Sequence, residues 1–254
     1  MRDFKYKGYS SKELYFTVRE KFVIEERVAI EDENLSEGKT YIYKAIRIKK
    51  INKITNEILS FKKIDLDYLN RWLLNNKDYE ILEIDKYIYK AIFFPYGDDY
   101  TKGAKEGYVD LKVRLYKNAF SSIMVCQKVL NGNEKYLEVN NKSNVEGLIL
   151  YPNFSISNIP RRGLNSATNI LIENTNILDN KLTINLTENE QIYINGKNDY
   201  IISKVDENRT IVKSGQYIKI QKGLNVIKIK SNGFCEINIS YQQEFNIEGV
   251  WNLE

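Results

Sequence analysis

Gln191-Ile192-Tyr193-Ile194-Asn195-Gly196, followed by Tyr200-Ile201-Ile202, decides the fold class. Polar and apolar residues alternate along Gln191–Ile194, the two-residue period of a half-buried strand. Asn-Gly suits a two-residue hairpin turn, whose central positions need positive φ. The spacing predicts that Tyr200-Ile201-Ile202 pairs back onto the first strand. The same texture continues on both sides. Upstream lie Gly147 to Pro152, Phe154 to Ser157, Asn169 to Ile172 and Leu182 to Leu186. Downstream lie Thr210 to Val212, Tyr217 to Ile220, Val226 to Lys230 and Cys235 to Tyr241. Short strands about 8–12 residues apart point to a β-sandwich or jelly roll.

The first half also reads as strands, with one helix. Phe4-Lys5-Tyr6 and Leu14 to Val18 come first, then Phe22-Val23-Ile24 and Arg27 to Ile30. Thr40 to Tyr43 and Ala45 to Lys49 follow a polar loop, Asp32 to Gly38. The helix is expected between Asp65 and about Asn75, with Asp65 as N-cap. Its apolar stripe is Leu66, Leu69, Trp72 and Leu73. Trp72 reads as the anchor of this helix on a sheet, with a stacking platform for a sugar or base as the sharper alternative. Tyr79 to Ile84, Tyr87 to Phe94 and Tyr108 to Tyr116 are further strands. In the last, Val109, Leu111, Val113 and Leu115 share one face. The turn-rich tract Asn131 to Asn144 marks a junction. The expected domains are residues 1–140 and 141–254.

Composition narrows the function. The chain has 254 residues and a hydrophobic fraction of 43%, enough for real cores. It has no histidine. Ser-His-Asp and Cys-His catalysis need an imidazole to move a proton near neutral pH, so both are excluded, as are histidine metal sites. Cys126 and Cys235 form no CxxC or Cys/His cluster and read as small buried apolar residues rather than a disulfide. GxGxxG, GxxxxGK[ST] and GxSxG are all absent. Net charge is +4, from 38 basic and 34 acidic residues, too mild for a dedicated nucleic-acid binder. The basic pairs Lys49-Lys50, Lys62-Lys63 and Arg161-Arg162 read as solvated faces or loops.

The acidic groups Glu25-Glu26, Glu31-Asp32-Glu33 and Asp98-Asp99 are adjacent in sequence. Such neighbours do not face each other across a cleft, as glycoside hydrolysis requires. Asp98-Asp99 offers oxygen donors for a calcium ion, and a solvated loop is the plainer reading. The 19 tyrosines suit half-buried strand packing, subunit interfaces or sugar stacking. No catalytic, cofactor-binding, metal-ligating or interface residue is assigned, and no cofactor is expected. No window holds the roughly 18–20 apolar residues of a membrane-spanning helix. The start, Met1 to Gly8, lacks the apolar core of a signal peptide, so folding in a cytosol is expected.

One resemblance covers nearly the whole chain. Gly223-Leu224-Asn225-Val226-Ile227-Lys228-Ile229, then Glu236 to Tyr241, resembles the final strand pair of phage distal tail proteins. The order of the first half agrees: Phe4 to Gly8, Leu69-Asn70-Arg71-Trp72-Leu73, Tyr87-Ile88-Tyr89-Lys90-Ala91, then Val109 to Leu115 with Ala119-Phe120. Lys117-Asn118-Ala119 departs from the family, which often has a proline there. The resemblance implies a mainly β chain. Its N-terminal domain would be β-sandwich-like, with one α-helix and an extended hairpin to which the loop Asp32 to Lys39 or the following strands would contribute. Its C-terminal domain would be a galectin-like or carbohydrate-module-like β-sandwich.

By the same resemblance the function is structural, not enzymatic. Six N-terminal domains would close into a hub ring at the distal end of a phage or prophage tail. The implied partners are other copies of the chain, the tail tube protein, and a tail-tip, tail-associated or receptor-binding protein. No membrane and no specific nucleic acid are implied. The implied location is the virion, after assembly in the bacterial cytoplasm. The alternative reading is a carbohydrate-binding module for host cell-wall polysaccharide, using exposed tyrosines or Trp251.

Overall fold

The computed structural model describes residues 3–14, 16–30, 39–52, 54–97, 99–116, 118–160, 163–206 and 209–247, with backbone alone for 17–30 and 39–41. It is mainly β. The strands of the first half are β1 (Phe4–Tyr6), β2 (Tyr9–Ser10), β3 (Phe16–Ile30), β4 (Lys39–Lys50), β5 (Glu80–Ile84), β6 (Tyr87–Pro95), β7 (Tyr108–Leu115) and β8 (Asn118–Ser121). Next come β9 (Met124–Asn131), β10 (Glu134–Asn141), β11 (Asn153–Ser157), β12 (Asn169–Asn174) and β13 (Lys181–Asn185). The chain ends with β14 (Gln191–Asn195), β15 (Tyr200–Ser203), β16 (Lys213–Gly215), β17 (Gly223–Ser231), β18 (Phe234–Tyr241) and β19 (Glu244–Asn246). The helix α1 (Lys63–Leu69) runs into a π-helical turn, Asn70–Leu74.

Contacts divide the chain into two compact units, Met1–Ser121 with Phe245–Glu254, and Ser122–Glu244. This division differs from the 140/141 junction expected from the turn-rich tract. Pairing explains the difference. β9 bonds to β18 and β10 to β17 along their whole lengths, so both strands belong with the second half. Gly132-Asn133 is the short connection by which the chain passes from one sheet of the second unit to the other, not a linker between units. At the other end the chain returns: Ile247 is fully buried in the first unit's core.

The first unit is one antiparallel sheet in the order β2-β1-β5-β6-β7-β4-β3, with β8 on β6 and β19 on β8. Its inward faces follow from alternation. Val109, Leu111, Val113 and Leu115 on β7 are fully buried, as the sequence predicts. The sheet curls until its two ends share a core. Phe4 on β1 and Phe16 on β3 stand near opposite ends of the strand order, yet both stack on the Trp72 ring, at 5.3 and 6.4 Å between centroids. The Trp72 indole N–H donates to the Tyr6 carbonyl oxygen at 3.0 Å. Trp72 is therefore a buried clamp, and the sugar-platform alternative has no exposed ring to use.

The helix starts earlier than its sequence suggests. Asp65 is not the N-cap. Lys62 is, and the Asp65 carboxylate accepts its backbone N–H from three residues on, at 2.7 Å. The same oxygen accepts from the Lys50 ammonium at 2.5 Å, tying α1 to the end of β4. Partial burial pushes the Asp65 carboxyl up. The hydrogen bonds from Lys50 and Lys62 outweigh it and leave the group below the usual carboxylate range.

The second unit is a β-sandwich of two five-stranded antiparallel sheets, β10-β17-β12-β13-β16 and β15-β14-β11-β18-β9. Alternate residues of both sheets, such as Ile170, Ile184 and Ile229 against Phe154, Ile192 and Ile237, form one core. Four sequence expectations shift. Gly147 to Pro152, expected as a strand, is irregular apart from a bridge at Leu150. The Asn195-Gly196 turn spans four residues, because Tyr200 pairs with Asn195. Thr210 to Val212 and Tyr217 to Ile220 are irregular; of these, only Ile220 makes a bridge, to Leu150. Phe22 to Ile24 and Arg27 to Ile30 belong to the one strand β3, whose register shifts twice against β4.

Two outcomes follow. Trp72→Ala should cost about 3–5 kcal/mol in denaturant unfolding of the first unit, from lost burial and the cavity left behind. Trp72→Phe should cost less, since it removes the indole hydrogen bond but keeps a ring. The second concerns pH. Asp65 is held below its unfolded value, so its contribution is present at neutral pH and lost as pH falls through the folded value. The gap in melting temperature between the native chain and Asp65→Asn should be open at pH 7 and close below about pH 4.

Candidate functional site

Two surfaces stand out, one in each unit. In the first, β3 ends the strand order, so its outer side has no strand partner among the described residues. It is also the longest strand, at 15 residues. A long open edge presents a row of backbone donors and acceptors that another chain can complete. The hairpin behind it is firmly placed. β4 pairs with β7 from Ile42 to Lys49. Across that pair Arg47 donates two hydrogen bonds to Asp110, at 2.8 and 3.0 Å, and lies 3.4 Å over the Tyr108 ring. The bond to Asp110 raises the Arg47 pKa further above its ordinary value.

The second surface is an open groove of about 430 Å³ lined by Tyr151, Asp199, Lys213, Gln216, Tyr217 and Lys219. Its position follows from three buried asparagines. Asn180 donates to the Tyr217 carbonyl at 3.0 Å and accepts the Lys219 amide at 2.8 Å. Asn174 donates to the Lys219 carbonyl at 2.7 Å and to Asn225 at 2.9 Å. Asn225 in turn accepts the Gln221 amide and donates to the Gln221 carbonyl. These side chains replace the sheet ladder that the irregular segment 216–222 lacks. The opposite wall is set by Gly196. A Cβ there would lie 2.7 Å from the Pro152 carbonyl oxygen, so only glycine lets this turn close against the Tyr151-Pro152 backbone.

The groove carries mixed charge. The Lys213 ammonium sits 4.3 Å over the Tyr217 ring, a cation–π contact. Burial, with Asp199 second, holds the Tyr217 hydroxyl above the usual tyrosine range.

The residues singled out from sequence fall as follows. Asp98, Glu31-Asp32-Glu33, Arg161-Arg162, Trp251 and the loop residues 32–38 lie outside the described residues, as do the side chains of Glu25-Glu26. Asp99 accepts a hydrogen bond from Thr101 at 3.1 Å. Among the described residues no three acidic or thiol groups converge on a metal-sized site. No described helix is long and apolar enough to cross a membrane. Cys126 and Cys235 are both free, and burial pushes the Cys235 thiol up to about 11. The groove has no signature in the sequence. The alternation of Tyr217 to Ile220 predicts a regular strand, and nothing in that periodicity announces the asparagine-held segment.

Asn180→Leu tests that support. It should leave the Tyr217 carbonyl and the Lys219 amide without their partner and cost about 1–3 kcal/mol in denaturant unfolding. Hydrogen exchange should accelerate at the Lys219 amide while the central strands β11 and β12 keep their protection.

No family model matches the chain. No curated protein matches it either. Among solved structures, the chain is similar to that reported as "Crystal Structure of SPP1 Dit (gp 19.1) Protein, a Paradigm of Hub Adsorption Apparatus in Gram-positive Infecting Phages". The TM-score is 0.52 at 11% identity, over 95% of this chain and 99% of that one. The likeness spans both units. The chain therefore has the fold of the SPP1 Dit protein, in agreement with the distal-tail-protein resemblance drawn from its sequence.

Proposed function

We propose that the protein is a structural, non-catalytic component of a phage tail tip, a hub ring of six copies. The observation that carries this reading is the likeness to the SPP1 hub protein across nearly the whole of both chains. The 15-residue edge of β3, which no described strand covers, supports it independently. A ring of identical subunits needs a heterologous contact that closes, and a strand edge that no described strand covers offers one half of such a contact. In this reading the first unit forms the ring. Its partners are its own copies, the tail tube protein on one side and a tail-tip or receptor-binding protein on the other. The protein then resides in the virion. It needs no cofactor, and the mild net charge of +4 suits a channel that must not hold DNA tightly.

A second reading concerns the second unit alone. It is a galectin-like sandwich that binds host cell-wall polysaccharide while the first unit keeps its structural role. The tyrosine-bearing groove and sheet favour it, since an aromatic ring with flanking amides and hydroxyls suits a sugar.

Native mass spectrometry tests the ring. The expected result is a closed hexamer, either alone at high concentration or on addition of the tail tube protein. A strict monomer under both conditions would overturn the assignment.

A further inference from the structure

The two outer faces of the second unit differ in chemistry. On the first sheet, the outward positions of β10 and β12 include Glu134, Glu138 and Glu173, and those of β13 and β17 include Lys181, Lys228 and Lys230. Lys228 pairs with Glu134 at 3.4 Å. That face carries facing glutamates and lysines, with Tyr136 and Leu224 also exposed on it. On the second sheet, the inner strand β11 presents Asn153, Ser155 and Ser157, opposite Ser240, Asn238 and Glu236 of β18. On the other side β14 presents Gln191, Tyr193 and Asn195. Glu236 is the one charged residue among these strand positions. Lys204, just past β15, lies 5.7 Å from the Tyr193 ring.

The face has a defined relief. Serines stand at its centre, low between larger neighbours. Tyr193 and Tyr200 rise on one side, their rings 6.3 Å apart, with Ile202 beside them. Val125 and Val129 of β9 stand on the other side, 63% and 39% exposed. The floor is rigid, because β11 is bonded along its length on both sides. The Asn153 carboxamide oxygen, in the middle strand, is buried and has no hydrogen-bond partner among the described residues.

We infer that this outer face of the β15-β14-β11-β18-β9 sheet binds a neutral polysaccharide laid across the strands. The inference rests on the second reading above and gives it an address. Sugar hydroxyls both donate and accept, as do serine, asparagine and glutamine side chains. The C–H faces of a sugar ring pack on tyrosine. A charged polymer would find too few opposite charges on the floor to offset its desolvation. An apolar protein partner would have to bury the central serines and asparagines against side chains that offer them no hydrogen bond. A neutral polyol meets neither cost.

The test is calorimetric titration of the full chain with soluble neutral probes, dextran and a galactan, and with polyglycerol phosphate as the anionic probe. Saturable binding to a neutral probe is expected. Ser155→Arg fills the centre of the face, and Tyr193→Ala removes a wall. Each should weaken binding about tenfold or more. Thr183→Arg, outward on the opposite sheet, should leave affinity within about twofold, since surface changes away from a contact do little. Thermal melts establish that each variant is folded, and Tyr193→Ala carries the test should Ser155→Arg not fold. Neutral binding that survives both face variants would overturn this address and leave the second reading standing. No neutral binding by the native chain would overturn both. Binding to polyglycerol phosphate alone would overturn the inference and point to the lysines of the groove. The hexamer measurement is independent of all these outcomes.

Discussion

The Trp72 clamp is the interaction on which the first unit depends. A long antiparallel sheet is not by itself a core; it must be folded over so that its apolar face is covered. Here one indole does this from a helix. Phe4 and Phe16, brought from far-apart strands, stack against it, and its N–H is satisfied by the Tyr6 carbonyl. Lys50 and Asp65 hold the helix to the end of β4, and the helix carries Trp72 into the fold of the sheet. Because the sheet is folded in this way, β3 is left at an edge with its hairpin pinned to β7 by Arg47 and Asp110. Among the described residues no strand covers that edge.

The second unit solves a different problem. Its sandwich is closed by apolar residues of both sheets, but one stretch, 216–222, leaves the ladder. Asn174, Asn180 and Asn225 take over the hydrogen bonding there from positions that are almost wholly buried. A buried amide is costly unless every polar atom finds a partner, so such residues specify one backbone path. The groove is the surface consequence of that path.

Much of this was legible in the sequence where local pattern decides the outcome. The β7 run reads in and out without a break, and the Gln191 hairpin and the β18 strand announce themselves the same way. Trp72 reads correctly as an anchor, because its stripe with Leu69 and Leu73 has helical spacing. The helix start was misplaced because Asp65 acts backward on Lys62, and the same carboxylate chemistry serves either position. β9 and β10 were obscured for another reason. Of β10 only Val139 and Asn141 are buried, so the strand looks like a polar linker until its partner β17 is known. Long-range pairing, which no local period encodes, assigns both strands to the second unit.

The same limit applies to binding surfaces. Period two tells which residues share a face, yet it does not tell which strands lie side by side. Ser155, Tyr193 and Asn238 are scattered over more than eighty positions of sequence. Antiparallel pairing of β11 with β14 and β18 sets them in one row. A row of this kind is costly to explain as mere solvent exposure, because the companion sheet shows what this chain uses for that purpose: glutamate and lysine in facing pairs. Two sheets of one sandwich, under one composition and one solvent, have been given different surfaces. This face, with Glu236 as the one charged residue on its three middle strands, is thus the part of the second unit whose sequence answers to something other than its own folding.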